Sequence, residues 1–220
     1  MSTTMTTAPA PAPEVNLPSY CYPKQYAQLL SETDKHELTI LHSDGRYRHL
    51  RFAAPGTGLW SFHLITWPGY LTIVGDIGGG YTFNRVDDML RFFDTGQPAG
   101  HINAAYWAEK VTGSRRDVRA FSEDRFAEYV ERRVKGFIDA YEPDDVEELR
   151  KQVKDAVLDY AWHVDVAYPA LTGFRYEDHA LDSDPEPGAW QDYDHHFLIA
   201  LHAILWGAKK YHAHLAATAA

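Results

Sequence analysis

The chain has 220 residues, a length that suits one ordinary domain or two small ones. It carries 21 Lys and Arg against 31 Asp and Glu, and this net charge of −10 argues against general binding to a phosphate backbone. The single cysteine, Cys21, excludes an intrachain disulfide and a multi-cysteine metal site, and it favours a reducing cytoplasmic location. No apolar run is long enough for a transmembrane helix, and residues 1–13 lack the basic and apolar parts of a secretory signal, so no contact with a membrane is expected.

The start of the chain differs in composition from the remainder. Thr, Ala and Pro dominate residues 1–18, and alternating prolines favour an extended chain without a core, so a disordered tail is predicted there. Residues 19–220 are predicted to form a single α+β domain, with a subdivision near residue 115 as the alternative.

Short alternating apolar segments between residues 37 and 83 predict an antiparallel meander of about five strands. Asp44-Gly45 lies between two such segments, and Pro68-Gly69 has the residues of a tight turn. The glycine-rich segment 75–80 lacks the lysine and the following helix of a phosphate-binding loop, so it is predicted to be another turn.

About five helices are predicted to follow and to pack on one face of this sheet. Apolar residues recur every three or four positions from Phe126 to Tyr141 and from Val146 to Tyr160, which predicts two helices joined as a hairpin at Glu142-Pro143. Residues 190–214 form the last predicted helix, and because its centre is apolar on every side we expect it to be buried.

An acidic segment without lysine or arginine runs from residue 177 to 194. Such a segment is either a solvated loop or a surface that meets a basic partner. The residues predicted to bind a partner are Glu177, Asp178, Asp182, Asp184, Glu186 and Asp192.

A divalent metal site is an alternative interpretation of the same region, because imidazoles and carboxylates are common metal ligands. The residues of that site would be His163, Asp165, His179, Asp194 and His195. In that case the chain would be a metal-dependent hydrolase, whereas the first interpretation needs no cofactor and no catalytic residue.

Aromatic residues in the meander allow a third interpretation. Trp60, Trp67 and Tyr70 are candidates for stacking on the bases of a single-stranded nucleic acid, with the arginines of the preceding hairpin nearby. Alternating aromatic residues on a sheet covered by helices are otherwise expected in the core.

Several phrases resemble an uncharacterised family of small proteins encoded by tailed bacteriophages and prophages. The most distinctive is Leu-Ile-Thr-Trp-Pro-Gly-Tyr-Leu-Thr-Ile-Val-Gly-Asp at residues 64–76, and the resemblance covers residues 58–112 and 195–211. It implies no catalytic residue. It implies an accessory phage protein that acts in the bacterial cytoplasm.

Together, the residues and the resemblance predict a non-enzymatic protein that binds a host or phage protein. A more specific hypothesis is an anti-defence inhibitor, which presents its acidic surface to a host enzyme that handles nucleic acid. Nucleic acid is then not expected as a direct ligand, and no oligomeric state is predicted.

Overall fold

The computed structural model describes residues 17–112 and 118–219, and in them the fold is α+β, as predicted. Residues 1–16 of the predicted tail and the predicted boundary near residue 115 lie outside the described residues. The chain divides into two compact units. Unit 1 comprises Met1–Val118 and His195–Ala220, and unit 2 comprises Arg119–Asp194.

The predicted five-stranded meander is followed by helices, with one helix before the meander and four short strands among the later helices. The strands are β1 (Glu37–Asp44), β2 (Tyr47–Ala53), β3 (Phe62–Trp67), β4 (Tyr70–Gly75), β5 (Tyr81–Asn84), β6 (Arg119–Phe121), β7 (Arg175–Tyr176), β8 (His179–Ala180) and β9 (Gln191–Tyr193). The helices are α1 (Pro23–Glu32), α2 (Met89–Phe93), α3 (Ala104–Ala108), α4 (Glu123–Tyr141), α5 (Val146–Ala156), α6 (Val164–Gly173) and α7 (His195–Thr218).

In unit 1, β1 to β5 form the antiparallel meander in chain order. Asp44 pairs with Tyr47 across the Asp-Gly turn, and Trp67 pairs with Tyr70 across the Pro-Gly turn. Gly45 and Gly69 adopt positive φ angles of 57° and 84°, which is the conformation these turns need. The predicted turns therefore set the register of the sheet.

One face of this sheet forms the core of unit 1. Alternate residues such as Leu64 and Ile73 are fully buried, and the rings of Phe52 and Phe62 contact Trp206 of α7. At Gly207 a Cβ atom would lie 2.8 Å from Cδ1 of Leu64, so α7 approaches the sheet closely. Helix α7 is buried along most of its length, as its uniformly apolar centre predicts.

Trp60 alternates with Phe62 and Leu64 in the sequence as strand residues do, but it lies outside the sheet. Strand β3 begins at Phe62, and Trp60 lies in the preceding turn with a positive φ of 56°. Its backbone N–H donates to the carboxylate of Asp76 at 3.0 Å, and this bond holds the turn outside the strand.

Cys21 lies at the start of the described chain, in a single 3-10 turn before α1. Its side chain is fully buried, and burial raises the pKa of the thiol. The sulfur lies near the backbone oxygen of Ile102, so it packs as a small apolar group in unit 1.

Unit 2 is built on the predicted hairpin of α4 and α5. Ser122 and Asp145 cap the two helices, and an ion pair between Arg150 and Glu131 joins them at 2.8 Å. The fully buried Trp190 contacts Phe126 and Tyr129 in the core of this unit.

The helices differ from the prediction in several places. Tyr141 and Tyr160, predicted in buried stripes, are 49% and 52% exposed because α4 and α5 end at or before them. Helix α6 was not among the predicted helices. Helix α7 begins at His195 and not near residue 190, because β9 pairs with β6 immediately before it. None of the described helices is both long and apolar enough to cross a membrane.

Candidate functional site

The two units differ sharply in charge. Unit 2 contains nine Lys and Arg against twenty Asp and Glu, which is a net charge of −11 over 76 residues. Unit 1 contains twelve Lys and Arg against eleven Asp and Glu, which is a net charge of +1. The net negative charge of the chain is therefore a property of unit 2.

Two acidic turns of unit 2 meet at the joint between α4 and α5. The turn between β7 and β8 presents Glu177 and Asp178, both exposed and with positive φ angles of 48° and 67°. Just before them, the hydroxyl of Tyr176 donates to the backbone oxygen of Asp145 at 3.0 Å. This bond fixes the turn beside the start of α5.

Four carboxylates near this turn are close enough to Tyr176 to raise the pKa of its phenol. Burial raises the pKa of Tyr176, and the negative charges of Glu177, Asp145, Glu148 and Asp144 raise it further. We refer to Asp144, Asp145, Glu148, Glu177 and Asp178 as the acidic end.

Aromatic side chains next to the acidic end pack against one another and against α4. The ring of His179 stacks on Tyr141 with centroids 4.1 Å apart, and both Tyr176 and His179 contact Phe137 of α4. The turn that carries Glu177 and Asp178 is thus attached to the core of unit 2.

A groove of about 770 Å³ borders the acidic end on unit 2. Helices α5 and α6 form its two sides, and Glu148 belongs both to the groove and to the acidic end. Lys151, Asp155 and Arg175 also line it, so its polar groups carry both signs of charge.

The other predicted partner-binding residues have different environments. Asp182 is only 3% exposed, so it lies in the interior and not at the predicted surface. Its carboxylate accepts a hydrogen bond from Tyr129 at 2.6 Å and pairs with Arg133 at 3.0 Å. Burial, followed by the bond to Asp182, raises the pKa of Tyr129. Asp182 therefore organises the core.

The three remaining members of the predicted surface are more exposed than Asp182. Asp192 is partly buried and pairs with Arg125 at 3.2 Å. Asp184 and Glu186 are exposed, and the N–H of Asp184 donates to Asp182. Of the six residues predicted to bind a partner, one is buried, one is partly buried and ion-paired, and four are exposed.

Of the candidate metal ligands in unit 2, His163 and Asp165 lie together at the start of α6, and the others lie on different elements. His163 caps α6, where its Nδ1 accepts from the N–H of Asp165, and this nitrogen lies 3.4 Å from the Asp165 carboxylate. His179 belongs to the stack beneath the acidic end. Asp194 is the residue after β9.

In unit 1, His195 begins α7 and contacts the ring of His196. Within residues 17–112 and 118–219, no three His, Cys, Asp or Glu side chains are placed to share one metal ion.

Two of the three predicted stacking residues lie together on the sheet face opposite α7. The rings of Trp67 and Tyr70 are stacked, with centroids 5.1 Å apart and planes at 14°. Both are half-buried, whereas Trp60 lies in the turn before β3. Phe62, Tyr81 and Phe83 face α7 and lie in the core, as expected for alternating aromatic residues on a covered sheet.

The same open face carries a pair of histidines in direct contact, His49 and His63. Nε2 of His49 and Nδ1 of His63 are 2.8 Å apart. Burial, followed by the charges of His49 and Arg51, lowers the pKa of His63. Strand alternation placed both residues on this face, but their diagonal contact depends on the register between β2 and β3.

A charged cluster in unit 1 was also missed. The carboxylate of Asp94 accepts from Lys209 and from Nδ1 of His212, each at 2.9 Å. Burial alone raises the pKa of Asp94, but the bonds from His212 and Lys209 outweigh it and hold this pKa below its usual range. The partners are more than 100 residues apart in the sequence, which therefore contains no local signal for the cluster.

Comparison of the chain with known protein families, with curated proteins and with solved structures finds no match. The resemblance to proteins of tailed phages therefore stays a prediction from the residues quoted above.

Proposed function

We propose that this chain is a phage accessory protein that binds a protein partner through the acidic end of unit 2. The observation that carries the proposal is the concentration of a net charge of −11 in unit 2, where the hydrogen bond from Tyr176 to Asp145 places the turn of Glu177 and Asp178 beside the acidic start of α5.

The partner that fits this surface is a host enzyme with a basic nucleic-acid channel, including enzymes of bacterial defence. Such a channel attracts closely spaced negative charges, and complementary potentials accelerate association and exclude partners of the wrong charge. Carboxylates at the acidic end would take the place of phosphates, so the accessory protein would compete with nucleic acid for the channel.

Rigidity of the acidic end supports this function. The cap of α5 by Asp145, the hydrogen bond of Tyr176 and the stack of His179 on Tyr141 hold the charged turns in place. A surface that is ordered before binding loses less conformational entropy when the partner binds. The adjoining groove offers an uneven shape against which a partner can pack.

The first experiment is capture of bacterial lysate proteins on the immobilised full chain at low salt, with and without competing duplex DNA. We expect a nucleic-acid-binding protein to be retained, and to be displaced by DNA and by salt. In a variant with Asp144→Asn, Glu148→Gln, Glu177→Gln and Asp178→Asn, this retention should be lost.

The matched control removes the same number of charges from exposed positions of unit 1, with Glu32→Gln, Asp34→Asn, Glu37→Gln and Asp44→Asn. Retention should survive in this control. Equal retention by both variants, or a captured protein that DNA does not displace, would contradict the proposal.

A further inference from the structure

An apolar cavity of about 310 Å³ lies in unit 1 beside α7. Its walls are formed mainly by Leu30 and Tyr26 of α1 and by Leu205 and Trp206 of α7, with Gly100 on the third side. The volume is at the lower end of the range for small-molecule sites. The apolar part of a small ligand can be buried there.

Two lysines of α7 line the same cavity. The ammonium of Lys210 is exposed and lies over the ring of Trp206, 5.2 Å from its centroid. Lys209 pairs with Asp94 at 2.9 Å, so its charge is largely balanced. Among residues 17–112 and 118–219 no carboxylate pairs with Lys210, so the cavity combines apolar walls with one ammonium that lacks an ionic partner there.

We propose that this cavity binds a small anionic amphiphile, such as a medium-chain carboxylate, with its chain against Leu205 and Trp206 and its anion at Lys210. The charge of Lys210 selects an anion over a neutral or cationic ligand of the same shape. The small volume suits one free molecule and not a membrane surface, which needs a broad apolar face. This site belongs to unit 1 and is independent of the acidic end.

The test is isothermal titration calorimetry of the full chain with decanoate below its micelle concentration, and with 1-decanol as the uncharged match. We expect decanoate to bind with one-to-one stoichiometry and more tightly than decanol. Lys210→Gln should weaken decanoate binding about two- to fivefold, which is the range of one exposed charge contact, and leave decanol unchanged. Lys35→Gln, at an exposed site outside the cavity lining, is the matched control and should have no effect.

A second variant separates filling of the cavity from loss of charge. Ala213 is exposed at the cavity lining, and Ala213→Trp should abolish binding of both ligands without unfolding the chain. Ala217→Trp lies one helical turn further along α7 and serves as its control. Absence of decanoate binding to the full chain, or unchanged binding after Ala213→Trp, overturns the proposal.

One competing occupant is a segment of the chain itself, because Leu17, the first described residue, packs against Gly100 of the cavity. The titration is therefore repeated after removal of residues 2–16. Equal affinity in the two chains supports the ligand site. Binding that occurs only after the removal assigns the cavity to the segment and overturns the proposal.

Discussion

His202 is a titratable side chain in the core of unit 1. It is fully buried, its ring lies 5.1 Å from that of Tyr26, and burial lowers its pKa to about 4. The folded chain therefore keeps this imidazole neutral over a range of pH in which an exposed histidine is charged. Because of this residue, the stability of unit 1 is expected to fall at acidic pH.

The direction of the effect follows from the two pKa values. Between pH 6.5 and about pH 4 the unfolded chain binds a proton at His202 that the folded chain does not, so the free energy of unfolding falls as the pH falls. The slope contributed by this residue approaches about 1.4 kcal/mol per pH unit. We expect urea denaturation of His202→Gln between pH 7 and pH 5 to show a shallower slope than wild type.

His214→Gln, at an exposed position of α7, is the control and should keep the wild-type slope. Identical slopes for all three chains would show that His202 is protonated in the folded state, in contradiction to the expectation.

Individual acidic residues show what the sequence can and cannot predict at this scale. Their run without a basic residue correctly indicated exposed charge at Glu177 and Asp178. It also included Asp182, whose partners Tyr129 and Arg133 are about fifty residues away in the sequence. Burial of a carboxylate depends on such distant partners, which the local sequence does not contain.

Glycines in two helices have opposite surroundings. Gly136 of α4 is exposed and has open space where a Cβ would lie. Gly207 of α7 faces the sheet, where a Cβ would come within 2.8 Å of Leu64 and 3.0 Å of Phe52. Only the second glycine is required by packing.

The same substitution should therefore have opposite signs in the two helices. Gly136→Ala should raise the free energy of unfolding by about 0.5–1 kcal/mol, because alanine restricts the unfolded chain and favours a helix. Gly207→Ala should lower it by about 1–2 kcal/mol, because overpacking outweighs the gain in helix propensity. Chemical denaturation monitored by circular dichroism measures both values. Stabilisation by Gly207→Ala would mean that Leu64 moves aside without cost.

Elements with local signals were predicted, and elements formed by distant pairing were not. The turns at Asp44-Gly45 and Pro68-Gly69 and the α4–α5 hairpin follow from adjacent residues. The ladder of β6 with β9 joins residues about seventy positions apart, and each strand has only three residues. Such short strands have too few alternating positions to be recognised.

Across the whole chain, unit 2 is an insertion in unit 1. The two stretches that resemble phage proteins, 58–112 and 195–211, both belong to unit 1, although 82 residues separate them. The ends of unit 2 are adjacent, because Arg119 pairs with Tyr193 in the β6–β9 ladder. Insertions with adjacent ends are the ones that a host domain tolerates best.

We therefore expect unit 1 to fold without unit 2. A chain in which a short Gly-Ser linker replaces residues 119–194 should remain soluble, keep a cooperative thermal transition and retain the near-ultraviolet circular dichroism of its packed aromatic residues. The isoelectric point of this chain should rise strongly, because the net charge of −11 is removed. A deletion variant without a cooperative transition would show that unit 1 depends on the insertion.

The buried thiol of Cys21 allows the rate of local opening to be measured. Cys21 is the one cysteine, its side chain is inaccessible, and its raised pKa keeps the reactive thiolate scarce. A thiol reagent can therefore modify only those molecules in which the structure around Cys21 has opened. The rate of alkylation at high reagent concentration then equals the rate of that opening, at a single site and without any engineered label.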